Sequence, residues 1–322
     1  MSFKKGVSVI IPNWNGKELL NRNLPALLNA LKIYGGESEI IIVDDGSDDG
    51  SAEFVQDSYP WLRLVRFEKN RGFIEACNIG ARESNHAIIY FLNSDIEVEE
   101  GFLEPLSVLF KNEKVFAVSG KALMPDKKTF LSGASGLRFK WGLTWISRDI
   151  DEARINKTSL NFRASGGHSA FDREKFLKLG GFDSLFRPFY CEDEDICYRA
   201  WKTGWLVLYE PKSIVFHQPQ STIGKAFKKG QIESIMRRNR FLFIWKNIFD
   251  KKLLFRHLFF LPFQLIMAPI VGRYRFTLAF FMALSRLEEV VNKRHHGDVH
   301  QLKDSDVIDR LSSLQRIEDA QV

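Results

Sequence analysis

The sequence has little cysteine and no long uncharged hydrophobic run, and these shortages exclude several classes of protein. Only three of the 322 residues are cysteine, at positions 77, 191 and 197, and they form no CxxC pair. A disulfide framework or a structural zinc site is therefore not expected, and a reducing cytoplasm fits best. The longest uncharged stretch, residues 258–272, would reach about 22 Å as a helix, which is less than the roughly 30 Å hydrocarbon core of a membrane.

The N-terminal region lacks two further signals. After Lys4 and Lys5 the only apolar run, Val7 to Ile11, is cut by Pro12 and is too short for the hydrophobic part of a secretory signal, so we expect the first strand there. The turn that follows, residues 12–16, reads PNWNG and not GxGxxG, which argues against a dinucleotide-dependent oxidoreductase.

Positive charge is present but concentrated in one part of the chain. The net charge is +6, yet residues 225–294 hold 15 lysines and arginines against 4 acids, which leaves the rest of the chain at −5. The same segment contains 11 of the 28 phenylalanines. A segment that is both basic and aromatic indicates contact with an anionic surface.

Short apolar segments predict strands that alternate with helices. Leucines at helical spacing between residues 20 and 31 predict the first helix. Strands are expected at 7–11, 39–43, 63–67 and 87–92, and again at 206–209 and 213–216. The alternation is typical of an α/β fold with a doubly wound, mostly parallel sheet that is covered on both faces. Residues 101–162 have no regular pattern.

Polar residues directly follow each of the first four strands. They are Asn13 after the first strand, Asp44 and Asp45 after the second, Asn70 after the third, and Asn93 and Asp95 after the fourth. Ligands of such sheets bind beyond the carboxyl ends of the strands. We therefore expect these side chains to share one edge of the sheet. An ordinary Asp-Gly turn and helix cap is the alternative for the pair at 44 and 45.

Six motifs in a fixed order carry a resemblance to a known family. They read VSVIIPNWNG from Val7, VDDGSDDGS from Val43, NRGF from Asn70, LNSD from Leu92, GGFD from Gly180 and EDEDICYR from Glu192. Together they resemble the family-2 inverting nucleotide-sugar glycosyltransferases of Rossmann-like GT-A fold, over about residues 7–217. The LNSD motif is most similar to the bacterial rhamnosyltransferase-type branch.

The resemblance implies a nucleotide-sugar donor site in the first half of the chain. Asp45 would contact the nucleotide. The other donor-binding residues that the resemblance implies are Pro12, Asn13, Asp44, Asn70, Gly72, Phe73, Asn78, Asn93 and Asp95.

The resemblance also implies a divalent cation, Mg²⁺ or Mn²⁺, bound by Asp95 and His217. Carboxylate oxygens are ligands that these hard cations prefer. The family usually has an Asp-x-Asp motif, whereas this chain has Asn93 in place of the first aspartate, so Asp95 is the one charged ligand of that motif. The alternatives are a polar loop after a strand and a structural histidine.

Four consecutive acids, residues 192–195, form the strongest catalytic candidate. They cannot all be comfortably ionised together, so one carboxylate among them could act as a general base. By resemblance Asp193 is that base and removes the proton of the acceptor hydroxyl. Glu192 and Asp195 are expected to orient the loop and cap the helix, and Arg199 to pair with Asp195 one turn away. The alternative is a solvated acidic helix start.

We expect a catalytic domain over residues 1–224, with a nucleotide-binding half over 1–100 and an acceptor half over 101–224. A basic, aromatic-rich helical region over 225–322 follows, and its charges around apolar faces favour an interfacial helix pair on anionic lipid. The alternative is a helical hairpin packed on the catalytic domain or on a second subunit. Arg238 and Arg240 could instead reach the donor diphosphate.

The sequence as a whole predicts a hexosyltransferase that moves a sugar from a nucleotide donor to a lipid-linked or polysaccharide acceptor in cell-envelope glycan synthesis. We expect it at the cytoplasmic face of the cell membrane, bound peripherally to anionic lipid, with no nucleic-acid partner. The alternative is an inactive transferase-like scaffold that binds membrane or nucleic acid through the basic region. No motif selects a donor base, a sugar or an oligomeric state.

Overall fold

Twelve strands lie in the part of the chain that the computed structural model describes, which is residues 5–147, 152–217, 227–294 and 301–312. The first six are β1 (Val7–Asn13), β2 (Ser38–Asp44), β3 (Arg63–Arg66), β4 (Ile88–Leu92), β5 (Ile96–Val98) and β6 (Val115–Leu123). The others are β7 (Phe130–Ser132), β8 (Gly136–Lys140), β9 (Leu143–Ser147), β10 (Ser159–Leu160), β11 (His168–Asp172) and β12 (Leu206–His217).

The same described residues contain twelve α-helices. Seven precede β12: α1 (Lys17–Tyr34), α2 (Ser51–Ser58), α3 (Phe73–Glu83), α4 (Leu103–Leu109), α5 (Glu152–Ile155), α6 (Arg173–Lys178) and α7 (Glu192–Lys202). Five follow it: α8 (Lys229–Asn247), α9 (Lys251–Ile270), α10 (Tyr274–Leu284), α11 (Leu287–Arg294) and α12 (Asp304–Ser312).

Ten strands form one mixed sheet, in the order β10-β12-β6-β11-β4-β1-β2-β3, with β5 and β7 added to β12 and β6. The pairs β4-β1, β1-β2, β2-β3 and β6-β12 are parallel, and β11 runs antiparallel between β4 and β6. Right-handed crossovers put α1 and α2 on one face of the sheet and α3 on the other. The predicted α/β fold with a mostly parallel sheet is confirmed.

The first four predicted strands are all present. In β1, β2 and β4 the apolar residues are buried on both faces of the sheet, as Ile10, Ile41 and Phe91 illustrate, whereas the edge strand β3 is only partly buried. The two strands expected at 206–209 and 213–216 are instead one strand, β12, whose pairing with β6 shifts between Glu210 and Ile214. The shift accommodates Pro211, which has no backbone N–H to give to the ladder.

Residues 101–162, which had no regular pattern, contribute a central strand and a separate hairpin. β6 lies between β11 and β12 and is almost entirely buried. Because both of its faces are covered, its sequence does not alternate between polar and apolar residues. The strands β8 and β9 pair with each other outside the main sheet.

Part of the basic C-terminal region packs into the catalytic core. On α8, Phe241 and Leu242 are fully buried in the same apolar cluster as the central strands. On α12, Asp304 accepts hydrogen bonds from Lys202 Nζ and Tyr198 Oη, both at 2.7 Å. The contacts of α8 and α12 therefore match the alternative in which the C-terminal region packs on the catalytic domain.

The helix α9 differs, because most of its apolar surface is exposed. It is 20 residues long, with a mean hydropathy of 1.6, and by length and composition it could cross a membrane. The helix length expected from residues 258–272 was therefore too short. The helix begins at Lys251 and includes charged residues ahead of the uncharged run. One face, with Leu253, His257, Leu261 and Ala268, is buried against the rest of the protein.

Candidate active site

The ends of β1 and β2 bring the first predicted donor residues together. Asn13 and Asp44 are register partners, and Asn13 Nδ2 donates to Asp44 Oδ1 at 3.1 Å. The backbone N–H of Ser47 donates to the other oxygen of Asp44, also at 3.1 Å. Pro12, one residue earlier on β1, is half-buried. The loop after β2 is thus fixed by its own buried carboxylate.

Asp45 binds the loop that precedes α3. Its two carboxylate oxygens accept hydrogen bonds from the backbone N–H groups of Arg71, at 2.5 Å, and Gly72, at 2.8 Å. Burial raises the pKa of Asp45 against the opposing effect of these two hydrogen bonds. Gly72 has a φ of +92°, a conformation open to glycine, and this lets both amides face the carboxylate.

The remaining donor residues of the 70–78 segment divide into two groups. Asn70 is exposed and Phe73 is half-buried at the start of α3, so both are open to a ligand. Asn78 is buried, and its amide both donates to the backbone of Phe182, at 2.8 Å, and accepts from it, at 2.9 Å. Asn78 therefore ties α3 to the GGFD loop, and its donor-binding role stays a prediction.

Asp95 and His217 meet although 122 residues separate them. His217 ends β12 and is the register partner of Ile96 on β5, which places it beside Asp95. His217 Nε2 lies 3.3 Å from Asp95 Oδ2. The two residues predicted to bind the cation are therefore adjacent.

Three buried acceptor oxygens near these strand ends have no hydrogen-bond donor within the described residues. They are Oδ1 of Asn13, Oδ1 of Asn93 and Oδ1 of Asp95. No cluster of three or more histidine, cysteine or acidic side chains is present in the same part of the chain. The orphaned Asp95 oxygen and the adjacent imidazole nevertheless fit a divalent cation that takes its other ligands from water and a diphosphate, as Mg²⁺ often does.

Asp193 lies at the start of α7 and is held by an arginine. Arg163 Nη1 donates to Asp193 Oδ2 at 2.8 Å, and the backbone N–H of Glu194 donates to Asp193 Oδ1, also at 2.8 Å. Arg163 had no sequence signal, because it directly follows the irregular segment 101–162 and lies 30 residues before its partner. The charge of Asp193 is a main cause of the raised pKa of Arg163.

Glu192 has the most unusual environment of the four acids. It is buried, and its Oε2 has no partner among the described residues. Burial and the charges of Asp193 and Glu194 raise the pKa of Glu192 to about 8. Glu192 is therefore protonated at neutral pH.

Asp195 and Arg199 form the ion pair that their spacing predicted, at 2.8 Å. Asp195 is fully buried and also accepts hydrogen bonds from Lys246, at 2.7 and 2.9 Å, and from Asn247, at 2.8 Å, both on α8. The Arg199 guanidinium donates to the backbone oxygens of Leu179 and Gly181. This pair connects α7, α8 and the GGFD loop.

His168 connects the two functional pairs. It begins β11 opposite Leu92 of β4 and is buried, with Nε2 3.3 Å from Ser132 Oγ. Burial, together with the nearby charges of His217 and Arg163, lowers the pKa of His168 to about 3. Ser132, which His168 contacts, and Arg163 line the same cavity, so His168 lies near the Asp193 pair, and its register partner Leu92 is three residues before Asp95.

More than half of the chain matches one family model. Residues 8–180 match the model described as glycosyl transferase family 2, and this range holds four of the six motifs, the first of them without its Val7. The chain belongs to this family. The membership confirms the predicted glycosyltransferase class.

The curated relatives of this family-2 glycosyltransferase include several animal enzymes. It is 28% identical over 213 residues to polypeptide N-acetylgalactosaminyltransferase 3 of Drosophila melanogaster, covering 61% of this chain and 32% of that protein. It is 26% identical over 233 residues to polypeptide N-acetylgalactosaminyltransferase 6 of Homo sapiens, covering 66% and 37%. The chain thus spans about a third of the length of these relatives.

Solved structures share the fold of this glycosyltransferase at low identity. The crystal structure of GalNAc-T7 with UDP, GalNAc and Mn²⁺ has a TM-score of 0.58 at 20% identity, over 78% of this chain and 49% of that one. The mannosyltransferase PcManGT from Pyrobaculum calidifontis, in complex with GDP-Man and Mn²⁺, has a TM-score of 0.55 at 17% identity, over 88% and 76%. These likenesses confirm the GT-A type of fold.

Proposed function

We propose that this glycosyltransferase moves a sugar from a nucleotide donor to an acceptor hydroxyl and inverts the anomeric carbon. The observation that carries the proposal is two contacts between residues far apart in the chain, Asp95 with His217 at 3.3 Å and Asp193 with Arg163 at 2.8 Å. Displacement at a sugar diphosphate needs charge stabilisation on the leaving group and a base for the incoming hydroxyl. The two pairs supply one requirement each.

The donor would lie across the carboxyl ends of β1, β2 and β4. The free acceptor oxygens of Asn13 and Asn93 can receive hydrogen bonds from a base N–H or from ribose hydroxyls. Asp45 fixes the loop at 71–72, so the exposed Asn70 and the half-buried Phe73 are held at the rim of the site.

Asp95 and His217 would hold a divalent cation, Mg²⁺ or Mn²⁺. When bound, the cation neutralises charge on the departing nucleoside diphosphate. The Mn²⁺ in the two similar solved structures supports this choice. The buried Asp95 oxygen without a donor supports it from this chain's own residues.

Asp193 would accept the proton of the attacking hydroxyl. Arg163 and the Glu194 amide fix both of its oxygens, so the carboxylate is oriented before the acceptor arrives. As the acceptor oxygen forms its bond to the anomeric carbon, the bond to the diphosphate oxygen breaks and the hydroxyl proton passes to Asp193. A single displacement of this kind inverts the centre.

The acceptor we propose is a lipid-linked or polysaccharide glycan in cell-envelope synthesis, used at the cytoplasmic membrane face. The LNSD motif at 92–95 supports the rhamnosyltransferase-like branch, and the exposed apolar face of α9 supports membrane contact. The names of the curated relatives favour a second candidate, a polypeptide hydroxyl.

The test is release of nucleoside diphosphate from UDP-, GDP- and dTDP-sugars with Mn²⁺, in the presence of either a lipid-linked glycan or a peptide. We expect release from the donors of one nucleotide base only. Asp193→Asn should bind that nucleotide nearly as wild type does but lose about 10²- to 10⁴-fold in transfer, the usual contribution of a general base.

The matched control is Asp57→Asn, an exposed aspartate on α2, which should transfer at the wild-type rate. Substantial transfer by Asp193→Asn would remove Asp193 as the base. Exclusive use of the peptide would replace the glycan acceptor.

A further inference from the structure

A groove of about 270 Å³ lies between the β8–β9 hairpin and the helices α8 to α10. We call it the hairpin groove and define it by Trp145 on β9, Arg240 on α8, Phe263 and Met267 on α9, and Phe276 on α10. Its walls are largely aromatic and aliphatic. Apart from Arg240, for which contact with the donor diphosphate is the alternative, no residue predicted for donor binding or catalysis lines the groove.

Arg240 is the unusual member of this groove. Its guanidinium carbon stacks 4.8 Å from the ring centre of Trp145. Among the residues that the structure describes, it forms no hydrogen bond and no ion pair, unlike its neighbours Arg237, bound by Glu233, and Arg238, bound by the backbone oxygen of Arg187. Burial lowers the pKa of Arg240, so its charge is held in the groove at an energetic cost. An uncompensated, half-buried guanidinium is a binding group for an anion.

The two ends of the groove lead to different places. At one end, Asn239, the neighbour of Arg240, has its backbone oxygen 3.8 Å from Cys191 Sγ, which in turn lies 3.6 Å from Oε2 of Glu194, the neighbour of Asp193. At the other end, Phe263 lies on the exposed apolar face of α9, and the exposed Val271 directly follows that helix. The groove therefore connects an apolar surface with the catalytic carboxylates.

We infer that the hairpin groove binds the acceptor through a lipid phosphate, with the hydrocarbon chain along Phe263, Met267 and Phe276 and the phosphate on Arg240. The inference rests on the proposed transferase function and commits it to a lipid-linked acceptor. A guanidinium matches a phosphate with two parallel hydrogen bonds, and the apolar walls match a chain. A sugar attached to that phosphate would extend from Arg240 toward Glu194 and Asp193.

The test measures calorimetric binding of octyl phosphate, below its micelle concentration, to the full-length protein. Inorganic phosphate and octanol are the comparison ligands, because the first has the phosphate without the hydrocarbon chain and the second has the chain without the phosphate. We expect octyl phosphate to bind at least tenfold more tightly than either. Arg240→Gln should weaken it at least tenfold. The exposed Phe263→Gln should also weaken it, with little risk to folding.

The control variant is Arg66→Gln, an exposed arginine of β3 at the far end of the sheet, which should bind octyl phosphate as wild type does. Equal binding by wild type and Arg240→Gln would overturn the inference, as would inorganic phosphate binding as tightly as octyl phosphate. A loss of nucleoside diphosphate affinity in Arg240→Gln with octyl phosphate binding intact would assign Arg240 to the donor instead.

Nucleotide binding by wild type separates this inference from the proposed function. Binding of octyl phosphate through Arg240 without any binding of nucleoside diphosphates would keep the groove and refute the transferase assignment. Nucleotide binding together with an unaffected Arg240→Gln variant would keep the transferase and refute the groove.

Discussion

Glu192 is the residue whose ionisation should most affect stability. Its carboxyl is buried beside Asp193 and Glu194, and its pKa is raised to about 8. A raised carboxyl pKa means that the folded state keeps a proton which the unfolded state loses, so stability falls as pH rises from about 4.5 to about 8. The slope can reach about 1.4 kcal/mol per pH unit.

We expect Glu192→Gln to remove this slope. The free energy of unfolding of the variant, relative to wild type, should rise between pH 5 and pH 8, as measured by urea denaturation at each pH. Glu18→Gln, an exposed glutamate on α1, should leave the profile unchanged. Parallel profiles for Glu192→Gln and wild type would mean that Glu192 is ionised in the folded protein.

Most individual site residues could be proposed from the sequence, because they directly follow strands or stand in ordered motifs. Arg163 and His168 could not be assigned roles, since Arg163 meets Asp193 on α7, 30 residues later in the chain, and His168 meets Ser132 on β7, 36 residues earlier. Pairing across a sheet leaves no local signal in either segment.

At the scale of elements, the joint between α7 and α8 depends on one buried carboxylate. Asp195 accepts hydrogen bonds from Lys246, Asn247 and Arg199, and Lys246 also contacts Asp183 at 2.7 Å. Removing one partner of a buried ion pair leaves an uncompensated charge, at a typical cost of about 3–5 kcal/mol.

Asp195→Asn should therefore lower the free energy of unfolding by about 3 kcal/mol or more in urea denaturation. Glu53→Gln, which breaks the exposed ion pair with Arg66, should leave the free energy of unfolding close to that of wild type. Similar small losses in both variants would show that α8 is not fixed to α7 through Asp195.

The sequence predicted the elements of the nucleotide-binding half better than those that follow. Strands β1 to β4 are apolar runs bounded by polar turns, so their existence and order could be predicted from the sequence. The β8–β9 hairpin could not be predicted, because it lies outside the main sheet and residues such as Trp145 are exposed on it. The sequence around Pro211 predicted a gap between two strands, whereas the structure has the single strand β12 with a shift in its pairing at that point.

At the scale of the whole molecule, the proposed membrane contact depends on the α9–α10 surface. Phe255 is 69% exposed and Phe259 is 66% exposed, and their rings stack at 6.2 Å. Lys251, Lys252 and Arg256 lie on the same helix.

The buried face of α9 is held by His257, which lies 3.0 Å from Trp245 Nε1 and 2.7 Å from the Gly142 oxygen. These contacts favour a helix that lies in the membrane interface and does not span it.

We expect wild type to sediment with vesicles that contain phosphatidylglycerol and to be released by high salt, because basic residues near the surface contribute about 1 kcal/mol each. Phe255→Glu combined with Phe259→Glu should reduce binding at least tenfold. Trp61→Glu, an aromatic residue with 68% exposure next to β3, should not. Equal binding by both variants would refute the membrane face, and salt-resistant retention of wild type would indicate a spanning helix.

The central claim is that one edge of the sheet binds a nucleotide diphosphate through a cation at Asp95 and His217. Calorimetric titration of UDP, GDP and dTDP, with and without Mn²⁺, tests it most directly in wild type and in Asp95→Ala. We predict that one nucleotide binds wild type at least tenfold more tightly with Mn²⁺, and that this gain is absent in Asp95→Ala. Equal affinities in both proteins, or no binding of any nucleotide to the folded wild type, would contradict the account.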